Sequence, residues 1–404
     1  MVASRMSGVY ERLGVSTIIN AKGTATRLSG GMMRPEVTQA MAEAAQHCVD
    51  IAELQARASK IIADATGAEA GCVASGAAAC LLLGTTACVA GIDPAKMARL
   101  PDTTGMKNEV VMVRSQRNFY DHAVRTAGVK VIEVGLPDRY AGAGVRDAEP
   151  WEIEAAINEN TAAVFYVADA MARPPLPEVC KVAHAAGVPV LVDAAAQLPP
   201  QANLKRFIAE GADLVAFSGG KAIGGPQATG FLCGKRDLIM SAALQHLDLD
   251  IFWEQWAPPS SLIDKSRLKG VPQHGIGRPC KAGKEEIVGL LTALELFIAE
   301  GDAARHAKWL ARVRKLADGL TGIKQARVSI TGDQSTDEVP LVELALSRGA
   351  KWKALDLVIA LQNGKPSIHV DPTHHERGLA LFNPMCLRDD QIGLITARVC
   401  ELLR

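Results

Sequence analysis

Between residues 110 and 233 of this 404-residue chain, short apolar runs alternate with helical stretches, and no other sequence feature limits the fold as much. The runs are 110–114 (VVMVR), 129–134 (VKVIEV), 162–167 (AAVFYV), 188–192 (VPVLV), 214–218 (LVAFS) and 230–233 (GFLC). They are rich in β-branched residues and nearly continuous in apolar character, as strands covered on both faces are. Helical segments at 152–157, 177–186 and 201–210 lie between several of them. Gly187 and Gly211 follow the last two and supply the left-handed position beyond a helix end. Strand–helix–strand alternation predicts an α/β fold with a mainly parallel sheet between helices. Further helices are predicted at 35–45, with Pro35 in the first turn, and at 52–66, 284–300, 303–316 and 389–403. Segments 328–331, 340–346 and 367–370 alternate more and predict a smaller, half-exposed sheet. The change of texture places an expected boundary near residue 280.

Charge narrows the function. Lys+Arg and Asp+Glu are 44 each, a formal net charge of zero. A chain whose main task is to coat nucleic acid or an anionic membrane needs a basic excess. Aromatic residues are 4%, too few for a base-stacking surface. No uncharged apolar run reaches the ~18 residues of a membrane span, and residues 1–20 lack the apolar stretch of a signal peptide. Nine cysteines form no C-x-x-C pair and mostly sit in apolar runs. The expectation is reduced, buried thiols in a cytoplasmic protein, not a disulfide framework or zinc site.

Three stretches carry chemistry. In residues 212–225 (ADLVAFSGGKAIGG) an apolar strand ends at Ser218, and Lys221 follows between glycine pairs. A lysine that forms a Schiff base needs close approach by an aldehyde and a site favouring its neutral amine. A solvated loop lysine or a phosphate clamp would fit the same pattern. In 188–197 (VPVLVDAAAQ), Asp193 ends a buried strand, where a carboxylate is costly unless it meets a cation such as a protonated pyridine nitrogen. A helix N-cap is the other reading of this aspartate. In 75–80 (SGAAAC), small residues lead into a helix at 81–90, exposing N–H groups to an anion, although an ordinary serine cap looks the same.

An anion cradle, an acid for a ring nitrogen and a lysine, in that order on an α/β scaffold, resemble the fold-type I pyridoxal-phosphate enzymes. The segments YERLGVSTIINAKGTATRLSGG (10–31), GMKNEVV (105–111), SQRNFYDH (115–122), VDAAAQ (192–197), SGGK (218–221) and GIGRPCKAGKE (275–285) sharpen the likeness. They resemble the selenocysteine synthase-like family, the L-seryl-tRNA selenium transferase homologues, which includes the D-glucosaminate-6-phosphate ammonia-lyases. The likeness runs from about residue 9 to 300 and more loosely beyond. It implies a large domain with a mainly parallel sheet (46–280), a smaller α+β C-terminal domain (281–404) and an N-terminal segment (1–45) completing the active site.

It also implies pyridoxal 5′-phosphate as cofactor. Lys221 would hold it as a Schiff base, with Asp193 on the ring nitrogen and Ala195 and Gln197 beside that aspartate. Ser75, Gly76, Ala77 and Ser218 would hold the phosphate. Arg278 would bind the phosphate or a substrate acid, or else form an interface ion pair. Asn118, Tyr120 or His122, beyond the carboxyl end of a strand, would face the ring or substrate. Arg27 would contact a substrate acid from a glycine-rich loop that also holds Asn20, Lys22 and Thr24. Arg377 and Arg388 are weaker carboxylate candidates. The pair His374–His375 with Glu376 reads as a polar loop, not a metal site.

The implied activity is a lyase acting on an amino acid or amino sugar acid, by Cα-proton abstraction and β-elimination with release of ammonia. Aldol cleavage or racemisation of a β-hydroxy amino acid would use the same groups. Selenium transfer to seryl-tRNA is disfavoured by the balanced charge and by a family-like segment that starts near residue 9. A non-catalytic cofactor binder is the remaining alternative. A homodimer or higher homo-oligomer acting on a small molecule, with neither nucleic acid nor membrane as partner, completes the expectation.

Overall fold

The computed structural model describes residues 8–136, 147–272 and 274–403. Residues 1–7 of the expected N-terminal segment, 137–146 of the expected large domain and Arg404 lie outside the described residues. The strands, in chain order, are β1 (Ile19–Ala21), β2 (Ala70–Ala74), β3 (Glu109–Val113), β4 (Lys130–Val134), β5 (Thr161–Val167), β6 (Val190–Asp193), β7 (Leu214–Ser218), β8 (Gly230–Gly234), β9 (Ala326–Thr331), β10 (Leu341–Leu346), β11 (Ile368–Val370) and β12 (Leu379–Phe382). All six runs at 110–233 are strands, with ends that agree to within two residues.

Contacts group residues 33–299 into one unit. Its seven-stranded sheet has the order β2-β8-β7-β6-β5-β3-β4. The β7-β6-β5-β3-β4 portion is parallel throughout, and β8 runs antiparallel to β2 and β7. Both faces are apolar because alternate side chains are. Leu191, Leu214, Ala216 and Leu232 join one buried layer with Leu81 and Leu83 of the helix Ala77–Ala90. Val192, Val215, Phe217 and Phe231 join the other with Ile62, Val179 and Phe207. This is the fold-type I architecture. Strand β2 (AGCVA) escapes a sequence reading because glycine and alanine carry no strand preference. It is held instead by pairing with β8.

Residues 1–32 and 300–404 form the second unit. It holds a three-stranded antiparallel sheet, β12-β10-β9, and a parallel pair, β1-β11. Ile19, Leu316, Leu344, Leu357, Ile368 and Ile395 share its core. The expected boundary near 280 falls inside the first unit, because Ile287, Leu290, Leu294 and Phe297 are buried in that unit's apolar layer. The two helices expected at 284–300 and 303–316 form one element, Lys284–Leu320, broken at Gly301 (φ 72°, ψ 162°). Among the described residues no helix is long and apolar enough to cross a membrane. All nine cysteines are free; six are buried, and Cys48 is exposed.

Candidate active site

Strand direction brings the three chemical stretches to one edge of the seven-stranded sheet. β6 ends at Asp193, β7 at Ser218 and β2 at Ala74, while the antiparallel β8 starts there with Gly230. Gly230 pairs with Ser218 on one side and Ala74 on the other. Carboxyl ends of parallel strands are where open α/β sheets place ligands.

Asp193 is 8% exposed. No helix starts behind it; the next is Asn203–Ala209, so the N-cap reading fails. Its Oδ1 accepts the Ala195 backbone N–H at 3.0 Å. Burial pushes the carboxyl up, and the Ala195 N–H and the Lys221 charge only partly oppose this. Lys221 is half-buried and shows the complementary effect: burial lowers its amine, while Asp193 holds it up. The two charges interact without ion-pair contact, and the Lys221 amine has no hydrogen-bond partner among the described residues.

The glycines before Lys221 act through close approach. A Cβ on Gly220 would fall 2.5 Å from the Gln227 Cα, and one on Gly219 2.4 Å from the Leu290 Cδ1 and Thr229 Oγ1. The turn is pinned by Gly219 N–H to the Thr229 carbonyl (2.8 Å) and Gly225 N–H to the Gly219 carbonyl (2.9 Å).

At the third stretch the helix starts at Ala77, four residues before the expected 81, with Gly76 as N-cap and no capping side chain. Ser75 therefore does not cap it. The Ser75 N–H goes to the Cys280 carbonyl (3.0 Å) and the Gly76 N–H to the Ala74 carbonyl (2.8 Å). The backbone donors left for an anion are those of the first helical turn, Ala77, Ala78 and Ala79. Gly230 lies directly beneath: a Cβ there would meet the Ala77 nitrogen and the Gly76 carbonyl carbon at 2.6 Å and the Phe217 oxygen at 2.7 Å. These are backbone atoms with no way to yield. Gly230→Ala is expected to cost about 1–3 kcal/mol of stability and to weaken cofactor binding, measured as melting temperature with and without cofactor; an unchanged pair of values would remove this glycine from the site.

Other expected residues divide. Arg278 donates Nη1 to the His246 carbonyl (2.8 Å) and Nη2 to Asp248 (3.0 Å), an ion pair within the chain. Asn118 accepts the Tyr120 N–H through Oδ1 (2.8 Å), shaping the turn after β3. The Tyr120 side chain is exposed, and the exposed His122 accepts from Arg125 at Nδ1 (3.0 Å). Gln197 lends its carbonyl to Asn203 (2.7 Å).

The remaining candidates lie in the second unit. Arg27 is exposed in the turn Thr26–Leu28. Asn20 is buried and donates to the carbonyls of Gly23 (2.9 Å) and Gly30 (3.1 Å), and Lys22 pairs with Asp371 (3.1 Å). Arg388 pairs with Asp390.

Sequence reasoning singled out none of Thr229, Gly230 and His246. Each reaches these stretches through a contact with a distant segment, for which local pattern holds no signal. The donor set fits a phosphorylated pyridine aldehyde: a free amine, a buried carboxyl short of a cation, and an uncapped helix start.

Residues 18–249 match the family described as SelA, L-seryl-tRNA selenium transferase. The chain is 31% identical to a 5′-C-glycyluridine monooxygenase-decarboxylase from Streptomyces sp, over 98% of this chain and 92% of the relative. It is 29% identical to a D-glucosaminate-6-phosphate ammonia lyase from Salmonella typhimurium (strain 14028s / SGSC 2262), over 98% and 97%. A solved structure of D-glucosaminate-6-phosphate ammonia-lyase superposes with a TM-score of 0.79 at 28% identity, covering 98% of this chain and 99% of that one.

Proposed function

The chain belongs to the L-seryl-tRNA selenium transferase family, and on that footing we propose that it is an ammonia-lyase-type enzyme acting on a hydroxylated amino acid or amino sugar acid. It is a pyridoxal-phosphate enzyme. The observation that carries the reading is the placement of Asp193 at the end of β6 and of Lys221 three residues beyond the end of the adjacent β7, each shifted by burial toward its neutral form.

Lys221 would hold the cofactor's aldehyde. Asp193 would receive the ring nitrogen and keep its proton there. The first-turn N–H groups of Ala77–Ala79 and the Ser218 side chain would hold the phosphate. When bound, the cofactor supplies an electron sink for charge developing at the substrate's Cα. Lys221 Nζ would take the Cα proton, and burial, which lowers its pKa, favours the neutral amine that this task needs. Loss of the β-hydroxyl as water, then hydrolysis, yields a keto acid and ammonia. A closed homo-oligomer is part of this reading.

A second reading follows from the relative at 31% identity: loss of the substrate's carboxylate with consumption of oxygen. One experiment separates the two. The protein is mixed with D- and L-amino acids, including β-hydroxy, phosphorylated and nucleoside-linked ones, while absorbance, ammonia, carbon dioxide and oxygen are followed. Ammonia without carbon dioxide supports the lyase. Carbon dioxide with oxygen uptake supports the second reading and overturns the first.

A further inference from the structure

We propose that His246 is a positioning residue for the phosphate end of the cofactor site, acting through the Cys280 carbonyl. The inference rests on the cofactor assignment above. His246 ends the helix Arg236–His246 and is 2% exposed. Its Nε2 lies 3.0 Å from the Cys280 carbonyl oxygen. A carbonyl only accepts, so Nε2 carries the hydrogen and Nδ1 is bare. Nδ1 is itself buried without a partner among the described residues.

The same carbonyl oxygen accepts the Ser75 N–H at 3.0 Å. One oxygen thus ties the turn that opens the anion cradle to the turn Arg278–Cys280 and to the end of a third segment, the helix at His246. Arg278 returns the tie, since its Nη1 donates to the His246 carbonyl at 2.8 Å. The His246 side chain grips the main chain at 280, and the Arg278 side chain grips the main chain at 246.

The intervening backbone has no slack. A Cβ on Gly275 would fall 2.6 Å from the Gln245 Cα, and one on Gly277 2.8 Å from the Gln245 carbonyl oxygen. Burial, together with the Arg278 charge, pushes His246 down to about 4, although the Cys280 contact opposes this. The imidazole is therefore neutral near pH 7 and presents a single donor. An anion site whose flanking peptide is already anchored needs little reordering when the phosphate arrives, and that is where such a contact gains affinity.

The test compares two ligands that differ only by the phosphate. The full chain, freed of cofactor, is titrated with pyridoxal phosphate and with pyridoxal. His246→Phe keeps a flat ring and loses the donor. It is expected to weaken pyridoxal phosphate about tenfold and leave pyridoxal within about twofold. His246→Gln, whose amide nitrogen sits near the imidazole Nε2, is expected to restore most of the preference. If His246→Phe fails to fold, His246→Asn, too short to reach the carbonyl, carries the same expectation. Equal weakening of both ligands, or an unchanged preference, overturns the proposal. The ratios need no turnover, so failure to release ammonia sinks the lyase reading and leaves them measurable. A wild-type chain that takes up neither ligand overturns both.

Discussion

Lys221→Ala is expected to abolish the near-visible absorption that appears when the wild-type chain takes up pyridoxal phosphate, and to cut turnover by about 10²–10⁴-fold. Both losses have one cause. The amine is half-buried, lacks a hydrogen-bond partner among the described residues and is lowered by burial, so it is poised to attach to an aldehyde and later to accept a proton. Lys221→Arg preserves positive charge without a nucleophilic amine and should fail equally. Small primary amines added to the alanine variant should restore part of the rate. A variant that keeps the absorption band would move the attachment point elsewhere.

Asp193 supports a prediction of opposite sign in two states. With cofactor bound, Asp193→Ala should hold the ring weakly and slow exchange of the substrate's Cα hydrogen with solvent by about 10²–10³-fold. Exchange at the wild-type rate would remove the carboxylate from the mechanism. Without cofactor the same carboxyl is a burden. Its folded pKa is raised by burial, so the folded chain binds its proton more tightly than the unfolded chain does. Such a group contributes stability below its unfolded pKa and loses it as pH rises through the folded pKa. Asp193→Asn should therefore melt above the wild type at neutral pH, by about 2–4 °C, with the gap closing as the solution is acidified. Cofactor should stabilise the wild type more than the variant. A cofactor-free variant that melts no higher than the wild type at neutral pH would show that the carboxyl is not held at a cost.

Six strands of the large sheet were readable because each is an apolar run of β-branched residues, and the helices between them carry their own stop signals. The order of chemical residues was readable too, since strand ends punctuate the sequence. The small strands β1, β2 and β12 were not, nor was the residue 299/300 division. Those depend on pairing partners far away in the chain: β2 with β8, and Ile19 in β1 with Ile368.

Local pattern and spacing sufficed for the α/β class and the cofactor family, and they singled out Lys221, Asp193 and the Ser75–Ala77 turn as candidates. Packing settled which backbone donors near the start of the helix Ala77–Ala90 are already paired. It spends the Ser75 and Gly76 N–H groups on the Cys280 and Ala74 carbonyls, removes Asp193 from capping duty, and sets His246 against the Cys280 carbonyl. The physical reason is that hydrogen-bond satisfaction is a property of segments brought together in space. A sequence names donors and acceptors, and packing alone says which of them are already taken.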